Sequence, residues 1–306
     1  MSRQSSRAVR YFYGAGLAVA LAVLASGGAL ALDEEIRSIP DVSSIESFHS
    51  TGLVIHVVAT NPDIFILDFP EMEQQGRMFS RALALIERQG GSRDRVLTDP
   101  ELSALIQASG KGLASYAYGN DFRVSELARF FNMASDDKVA LNEEEMRLRD
   151  FLLANGALTE RYGFYQPPPT DKVVISIPQS EDGHVTGRVA VTPKLRQVIL
   201  RHEISHGEYF TTPAYADYCR NFWASVMTER QRSAFRKFLA SKGYDPANGD
   251  LMINETQAYL IHTPAQGVFS PAKVGLSTEE VKSLVAKFWA GHPPGRLFQG
   301  EHPRSH

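Results

Sequence analysis

The stretch TPKLRQVILRHEISHGEYFT, residues 192–211, decides how the rest of the chain is interpreted. Its first two residues, threonine and proline, are typical of a helix start. Beyond them, apolar residues return at steps of three and four, the repeat of one helix face. His202 and His206 fall on that same face, with Glu203 directly after the first. The stretch therefore predicts a helix that carries two histidines on its apolar side.

Two imidazoles four residues apart on a helix lie one turn apart on the same side, so both can bind one metal ion at about 2.0–2.1 Å. A glutamate directly after the first histidine can reach a water molecule at that ion without binding the ion itself. The pattern His-Glu-x-x-His is the arrangement of zinc metallopeptidases. It predicts Zn²⁺ at His202 and His206 with Glu203 as general base, against the alternative of two histidines buried in the core.

A catalytic zinc ion needs a third protein ligand and one open position. The metzincin pattern is excluded, because Tyr209 and Thr212 stand where it requires glycine and a third histidine. A glutamate from a later helix is the other common solution, and Glu255 follows His206 after 48 residues. Other residues within reach along the sequence are Glu208, Asp217, Glu229 and His262.

The segment NETQAY, residues 254–259, together with His-Glu-x-x-His, resembles the gluzincin family of zinc peptidases, over about residues 189–262. The resemblance implies a zincin-like fold, a peptide or protein substrate, and Glu255 as third ligand. Gluzincins commonly carry an acidic residue three or four positions after that ligand, where this chain has Ala258 and Tyr259. In zincins an edge strand before the active helix binds extended substrate, and residues 185–191 occupy that place in the order.

The surrounding sequence predicts an α+β fold. Alternating runs predict neighbouring strands near residues 54–59 and 63–69, and a hairpin of KVVISIP with VTGRVAV around Asp182-Gly183. The hairpin is expected at the edge of a mixed sheet, before the active-site helix and a mainly helical carboxyl-terminal half. The proline run in 166–170 marks a boundary between an amino-terminal α+β region, residues 32–165, and a metal-binding catalytic region, residues 166–306. Helices are expected at 78–90, 99–108, 125–132, 142–154, 213–227, 228–243, 250–262 and 277–291.

The first 31 residues differ from the rest. Three arginines precede an apolar stretch from about Tyr11 to Leu30, which ends in the small-residue pattern Ala29-Leu30-Ala31. This is typical of a secretory signal peptide, and its length also permits an uncleaved membrane anchor. Either interpretation places the remaining chain outside the cytoplasm, in the periplasm or the extracellular space.

The composition argues against a nucleic-acid-binding protein. Lys and Arg total 32 against 35 for Asp and Glu, so the basic excess of nucleic-acid-binding proteins is missing. Cys219 is the single cysteine, so no intrachain disulfide can form, and its helical spacing with aromatic residues predicts a buried apolar role. His49 and His56 are expected to be structural, and Glu143–Glu145 to be a solvated helix start.

These features predict an exported zinc hydrolase, most simply a metallopeptidase. Four residues are candidates for the side chain that would stabilise the oxyanion, and the sequence does not choose between them: Tyr209, Tyr215, Tyr259 and His262. The alternative from another class is a non-catalytic zincin-like envelope protein, in which the metal or a histidine-glutamate network is structural and the amino-terminal region binds a partner. An open metal position facing a groove would favour the enzyme, and a fully liganded site the alternative.

Overall fold

The structure, a computed structural model, describes residues 35–180, 190–263, 267–293 and 295. Its elements confirm an α+β fold with a mixed sheet. In chain order they are β1 (Glu35–Ile39), α1 (Ser43–Glu46), β2 (Val54–Val58), β3 (Asn61–Phe69), α2 (Met72–Ile86), α3 (Asp99–Ala108), β4 (Asn120–Arg123), α4 (Val124–Asp136), α5 (Glu143–Ala154), β5 (Thr159–Arg161), β6 (Phe164–Gln166), β7 (Val173–Pro178), α6 (Pro193–Thr211), α7 (Pro213–Asn221), α8 (Glu229–Ser241), α9 (Gly249–Gln257), α10 (Pro271–Val274) and α11 (Thr278–Gly291). Short π-helical turns at Phe222–Val226 and Ala258–His262 extend α7 and α9.

The central sheet has the order β1-β2-β3-β7-β4. The β2-β3 and β4-β7 pairs are antiparallel, and the β1-β2 and β3-β7 pairs are parallel. The predicted strand KVVISIP is β7, and it has a neighbour on each side, so it is an internal strand and not the edge. Among the described strands, β4 is the edge strand beside α6, and the sequence analysis did not predict it. Residues 181–189 of the predicted hairpin lie outside the described residues, and Ala190 and Val191 are not in a strand.

Helix α6 is buried because it packs between two cores. Ile199, Leu200 and Ile204 belong to a core shared with the sheet, whereas Tyr209 belongs to the core of the carboxyl-terminal helices. A helix covered on both sides loses the usual polar face, which explains why most of its residues from Arg196 to Tyr209 are buried. The functional residues of α6 are therefore held by packing on either side.

Arg196 fixes the first turn of α6 to the sheet. Its two Nη groups donate to the two carboxylate oxygens of Asp68 on β3, at 2.8 Å each, and also to the carbonyl oxygens of Pro178 and Ile45. Asp68 Oδ2 also lies 3.2 Å from His56 Nε2, so His56 has the structural role expected for it. A buried bidentate pair of this kind specifies geometry strongly, because removing one partner leaves a charge without compensation.

Gly207 lets the second half of α6 approach the sheet. A β-carbon at this position would lie 2.7 Å from Ile64 Cδ1 and 2.9 Å from Ile175 Cδ1, both closer than packed carbon atoms come. The glycine after the second histidine is therefore a packing requirement. It brings the turn of α6 that follows His206 close to β3 and β7.

Most predicted helices are confirmed within a few residues, and the differences have local causes. The helix expected from residue 250 begins at Gly249, because the side chain of Asn248 accepts from the backbone N–H of Leu251 and caps it. Glu145 is not solvated as expected: it is buried, and both its oxygens accept from Arg81, whereas Glu143 is exposed. Cys219 is buried, as predicted.

The predicted division into residues 32–165 and 166–306 stays a prediction. Strands from both sides of it share the central sheet, since β7 pairs with β3 and β4. The predicted signal segment, residues 1–31, lies outside the described residues. Among the helices that are described, none has the length and apolarity of a membrane span.

Candidate metal centre

The two histidines of α6 meet the predicted glutamate of α9. The ring centroids of His202 and His206 are 4.8 Å apart. His202 Nε2 lies 3.6 Å from Oε2 of Glu255, and His206 Nε2 lies 3.6 Å from Oε1 of the same carboxylate. Ligands at about 2.0–2.1 Å from a tetrahedral zinc ion are about 3.3–3.4 Å apart, so these distances approach those of a coordination sphere. The three side chains can hold one metal ion.

A threonine fixes the proton of His202. Thr263 Oγ1 lies 2.8 Å from His202 Nδ1 and donates its own proton to the carbonyl oxygen of Ala258 at 2.8 Å. Because a hydroxyl has one proton, Oγ1 can only accept from the histidine. Nδ1 therefore carries the hydrogen, and the lone pair of Nε2 points towards Glu255.

Asn254 fixes His206 in the same way. Its Oδ1 lies 2.9 Å from His206 Nδ1 and also accepts from Gln257 Nε2 at 3.2 Å. Tyr215 donates in turn to Gln257 Oε1 at 2.7 Å. Hydrogen-bond acceptors at the outer nitrogen of a histidine orient such ligands in metal proteins.

Burial leaves ligand atoms without partners. Within the described part of the chain, His206 Nε2 and Glu255 Oε2 are buried atoms with no hydrogen-bond partner. Burial lowers the pKa of His202 to about 3 and the pKa of His206 to about 4, so both are neutral near pH 7, the form that binds metal. Burial raises the pKa of Glu255, opposed by His206. These unpartnered donors fit a cation, which would satisfy them together.

Glu203 lies beside these ligands and has one carboxylate oxygen, Oε2, without a hydrogen-bond partner in the described structure. Burial, with the charge of Glu255 and Glu87 added, raises its pKa well above the usual range. A raised pKa suits a group that must take up and release a proton near neutral pH. Gly119, just before β4, makes room for the side chain, since a β-carbon there would lie 2.2 Å from Glu203 Oε1.

A cavity of about 680 Å³ opens onto this site. His202, Glu203, Tyr259 and Thr263 line one part of it, and the segment Tyr116–Gly119 lines another. Cavities of this size hold small ligands or part of a peptide. The metal centre is therefore accessible from the side of His202 and Glu203, and not enclosed by the core.

The remaining candidates lie elsewhere. Asp217 and Glu229 are exposed and paired with arginines, and His262 Nε2 lies 3.2 Å from the Tyr215 hydroxyl. Glu208 is buried but belongs to none of the three metal-ligand groups found in the described residues.

The three candidate tyrosines differ in whether they line the cavity. Tyr209 donates to Asp250, and Tyr215 donates to Gln257, so the structure places both hydroxyls in other hydrogen bonds. Tyr259 lines the cavity and packs edge-on against His202, with ring centroids 4.7 Å apart. Among the four predicted oxyanion candidates, Tyr259 is the one at the cavity.

Two acidic residues at the site were missed by sequence reasoning. Asp121 lies on β4, with Oδ1 3.8 Å from His206 Nε2, and Glu87 follows the end of α2. Asp121, Glu203 and His206 form a second group of potential ligands, and Glu87, Asp121 and Glu255 a third. No local motif surrounds either acid, so only the fold brings them to the histidines.

Comparison with protein-family models, curated proteins and solved structures found no match to this chain.

Proposed function

We propose that this chain is a zinc-dependent hydrolase, most simply a metallopeptidase of gluzincin type, with His202, His206 and Glu255 as zinc ligands. The observation that carries the proposal is the convergence of three buried side chains whose Nε2 and carboxylate atoms lie 3.6 Å apart. Both histidines are held in the tautomer that leaves Nε2 free for a metal. The donor set, two imidazoles and one carboxylate, is that of zinc peptidases.

The chain supplies the proton transfer through Glu203. A zinc ion bound here would supply a Lewis acid that lowers the pKa of a water molecule and polarises the substrate carbonyl. Glu203 takes a proton from the attacking water and passes it to the leaving amine, and its raised pKa matches both steps. Tyr259 lines the cavity and is the proposed donor to the oxyanion of the substrate.

The open cavity favours an enzyme over a structural metal site. His202 and Glu203 both line it, so a substrate can approach the side of the centre where proton transfer occurs. A structural site of the alternative, non-catalytic protein would need a fourth protein ligand and no access. Within the described residues, the ligand group that contains both histidines has Glu255 as its third member and no fourth.

The cavity also points to a substrate that carries negative charge. Lys111, Lys242 and Arg88 line it, and neither lysine has a carboxylate within ion-pair distance in the described ranges. Burial, with Arg88 and Lys242 nearby, lowers the pKa of Lys111 to about 8. An acidic side chain or a free terminal carboxylate of a peptide would balance these cations.

The predicted signal or anchor in residues 1–31 makes a peptide or protein outside the cytoplasm the proposed substrate. The membrane would be a partner only if the segment stays uncleaved as an anchor. Nucleic acid is not proposed, because the chain lacks a basic excess.

The test is cleavage of a mixed peptide library by the zinc-loaded chain, followed by mass spectrometry of the products. Cleavage should stop on chelation and return with zinc. Glu203→Gln should keep the zinc and lose about 10²–10⁴-fold in kcat, the usual contribution of a general base. His202→Ala should lose both zinc and activity. Equal cleavage by Glu203→Gln and the unaltered chain would contradict the role of Glu203.

A further inference from the structure

Part of the wall of the cavity at the metal centre is apolar. Val198 and Ile199 line the cavity and are 8% and 6% exposed. Leu195, Tyr118 and Val268 line it with more of their surface exposed. Ligand cavities commonly combine apolar walls with a few polar groups that fix the orientation of the ligand. This wall is therefore a candidate contact surface for an apolar part of the substrate.

Three of these residues form a stripe on α6 that leads to the metal centre. They are Leu195, Val198 and Ile199. They precede His202 by seven, four and three residues, so they lie on the same helix face as that histidine. At a rise of 1.5 Å per residue, Val198 lies about 6 Å and Leu195 about 10 Å from His202 along the helix axis. The stripe begins beside the zinc ligands and continues away from them.

An extended peptide spans the length of this stripe with very few residues. It advances about 3.3 Å per residue. When such a peptide runs along α6, the side chains two and three residues from a carbonyl group at the metal centre lie level with Val198 and Leu195. The stripe would then contact residues close to the scissile bond, where binding influences which bond is cleaved.

The basic residues of the cavity belong to other elements. Arg88 follows α2, Lys111 follows α3, and Lys242 follows α8. The cavity thus presents cationic groups from three helix ends and an apolar stripe from a fourth helix. A ligand that is complementary to both carries an apolar side chain and a carboxylate.

We propose that the stripe of Leu195, Val198 and Ile199 selects peptides by an apolar side chain two or three residues from the scissile bond, with an acidic residue of the same peptide at the lysines. This inference rests on the proposed function, because the zinc site fixes the position of the scissile bond. Ile199 belongs to the core shared with the sheet, and Leu195 packs against that core, so changes at either would alter the core as well. Val198 is the residue through which the test changes the size of the subsite.

The test measures peptide binding without turnover. The full chain carrying Glu203→Gln is supplied with zinc and titrated into labelled octapeptides, with fluorescence anisotropy as the signal. Each octapeptide contains one aspartate and otherwise glycine, with a single valine or phenylalanine placed at every other position in turn. At one or two positions, the valine peptide should bind at least about 10-fold tighter than the peptide without it. Equal binding at every position would overturn the proposed subsite.

Substitutions of Val198 should shift the preference in opposite directions. In the same Glu203→Gln chain, Val198→Ala enlarges the subsite and should raise the preference for phenylalanine over valine about 10-fold, whereas Val198→Leu should lower it by a similar factor. Val226→Ala is the matched control, since Val226 is exposed and is not among the residues that line the described cavity. Circular dichroism should confirm that each variant folds. A preference that is unchanged in both Val198 variants would overturn the proposal.

Cleavage of the same peptides by the unaltered chain separates this proposal from the proposed function. Tighter binding of the apolar peptides without zinc-dependent cleavage of any of them would contradict the proposed function and leave the apolar subsite standing. Zinc-dependent cleavage at equal rates, whatever residue stands two or three positions from the cleaved bond, would overturn the subsite and leave the proposed function standing.

Discussion

Gly119 lies against Glu203 so closely that a β-carbon at residue 119 would be 2.2 Å from the Oε1 atom of that glutamate. The atom it would meet is the end of a flexible side chain, so Gly119→Ala should displace the carboxylate without unfolding the protein. We predict a loss of about 10²-fold or more in kcat with zinc content and melting temperature nearly unchanged. Steady-state kinetics and metal analysis of the same preparation measure both.

Gly112→Ala is the matched control for this prediction. A β-carbon at Gly112 would have its nearest neighbour 3.9 Å away, at Ser115 Oγ, so the added methyl group should be harmless. If Gly119→Ala retained full activity, Glu203 could not be the base in the position that the structure gives it.

Thr263 should matter to metal affinity through its hydroxyl alone. Thr263→Val keeps the shape of the side chain but removes the oxygen that accepts from His202 Nδ1. Loss of such a partner typically weakens metal binding 10- to 100-fold. Competition with a chromophoric zinc chelator measures the change in Kd.

Thr256→Val provides the control within the same region. The buried Thr256 Oγ1 has no hydrogen-bond partner in the described ranges, so removing it costs no hydrogen bond. The zinc affinity of this variant should match that of the unaltered chain. Equal weakening in both variants would mean that the threonine at 263 does not orient His202.

Lys111 predicts a pH-dependent preference for acidic peptides. Its pKa is lowered to about 8 by burial and by the nearby cations, so the side chain is charged below that pH and neutral above it. The ratio of kcat/KM for an acidic peptide to that for a neutral peptide of equal length should therefore fall as pH rises through 8. Taking the ratio cancels the effect of any ionisation that changes kcat/KM equally for both peptides.

Lys111→Met should make that ratio lower and independent of pH between 7 and 9. Lys282→Met, which removes an exposed lysine of α11, should leave the pH dependence unchanged. A ratio that still falls through pH 8 in Lys111→Met would assign the effect to another group.

Gly207 predicts a change in stability. Gly207→Ala would force a methyl group against Ile64 and Ile175, which are closely packed in the sheet core, and overpacking of this kind costs about 1–3 kcal/mol in the free energy of unfolding. Alanine normally stabilises a helix interior relative to glycine by about 1 kcal/mol, so a destabilisation has the opposite sign to helix propensity. Urea unfolding of the zinc-loaded chain measures it, with Gly249→Ala, at an open position, as control.

The sequence predicted the parts of the fold that depend on local patterns. The helix of residues 192–211 and the helices expected at 228–243 and 277–291 were located closely, because the start of each is encoded within one or two turns. Strand β7 was recognised, but its position between β3 and β4 was not. Strand order depends on pairings between distant residues, and no local pattern specifies them.

The candidate site likewise contains residues that a local motif predicted and residues that it did not. His202, Glu203 and His206 follow from a motif within one helix, and the resemblance of residues 254–259 to gluzincins implied Glu255 as the fourth member. Glu87 and Asp121 could not be found, because each is a single acid with no surrounding pattern, and only packing brings it to the histidines. Nothing in the sequence distinguishes Gly119 from the other glycines, so its contact with Glu203 could not be predicted.

The measurement that tests the metal centre most directly is the zinc content of the full chain purified without chelators, beside Glu255→Gln and His202→Ala. We predict that the unaltered chain contains zinc at the histidine site. In Glu255→Gln the Kd for zinc should rise at least 10-fold, and His202→Ala should contain no zinc at this site. If no zinc is present and none is taken up on addition, or if His202→Ala binds zinc as tightly as the unaltered chain, the proposed centre is contradicted.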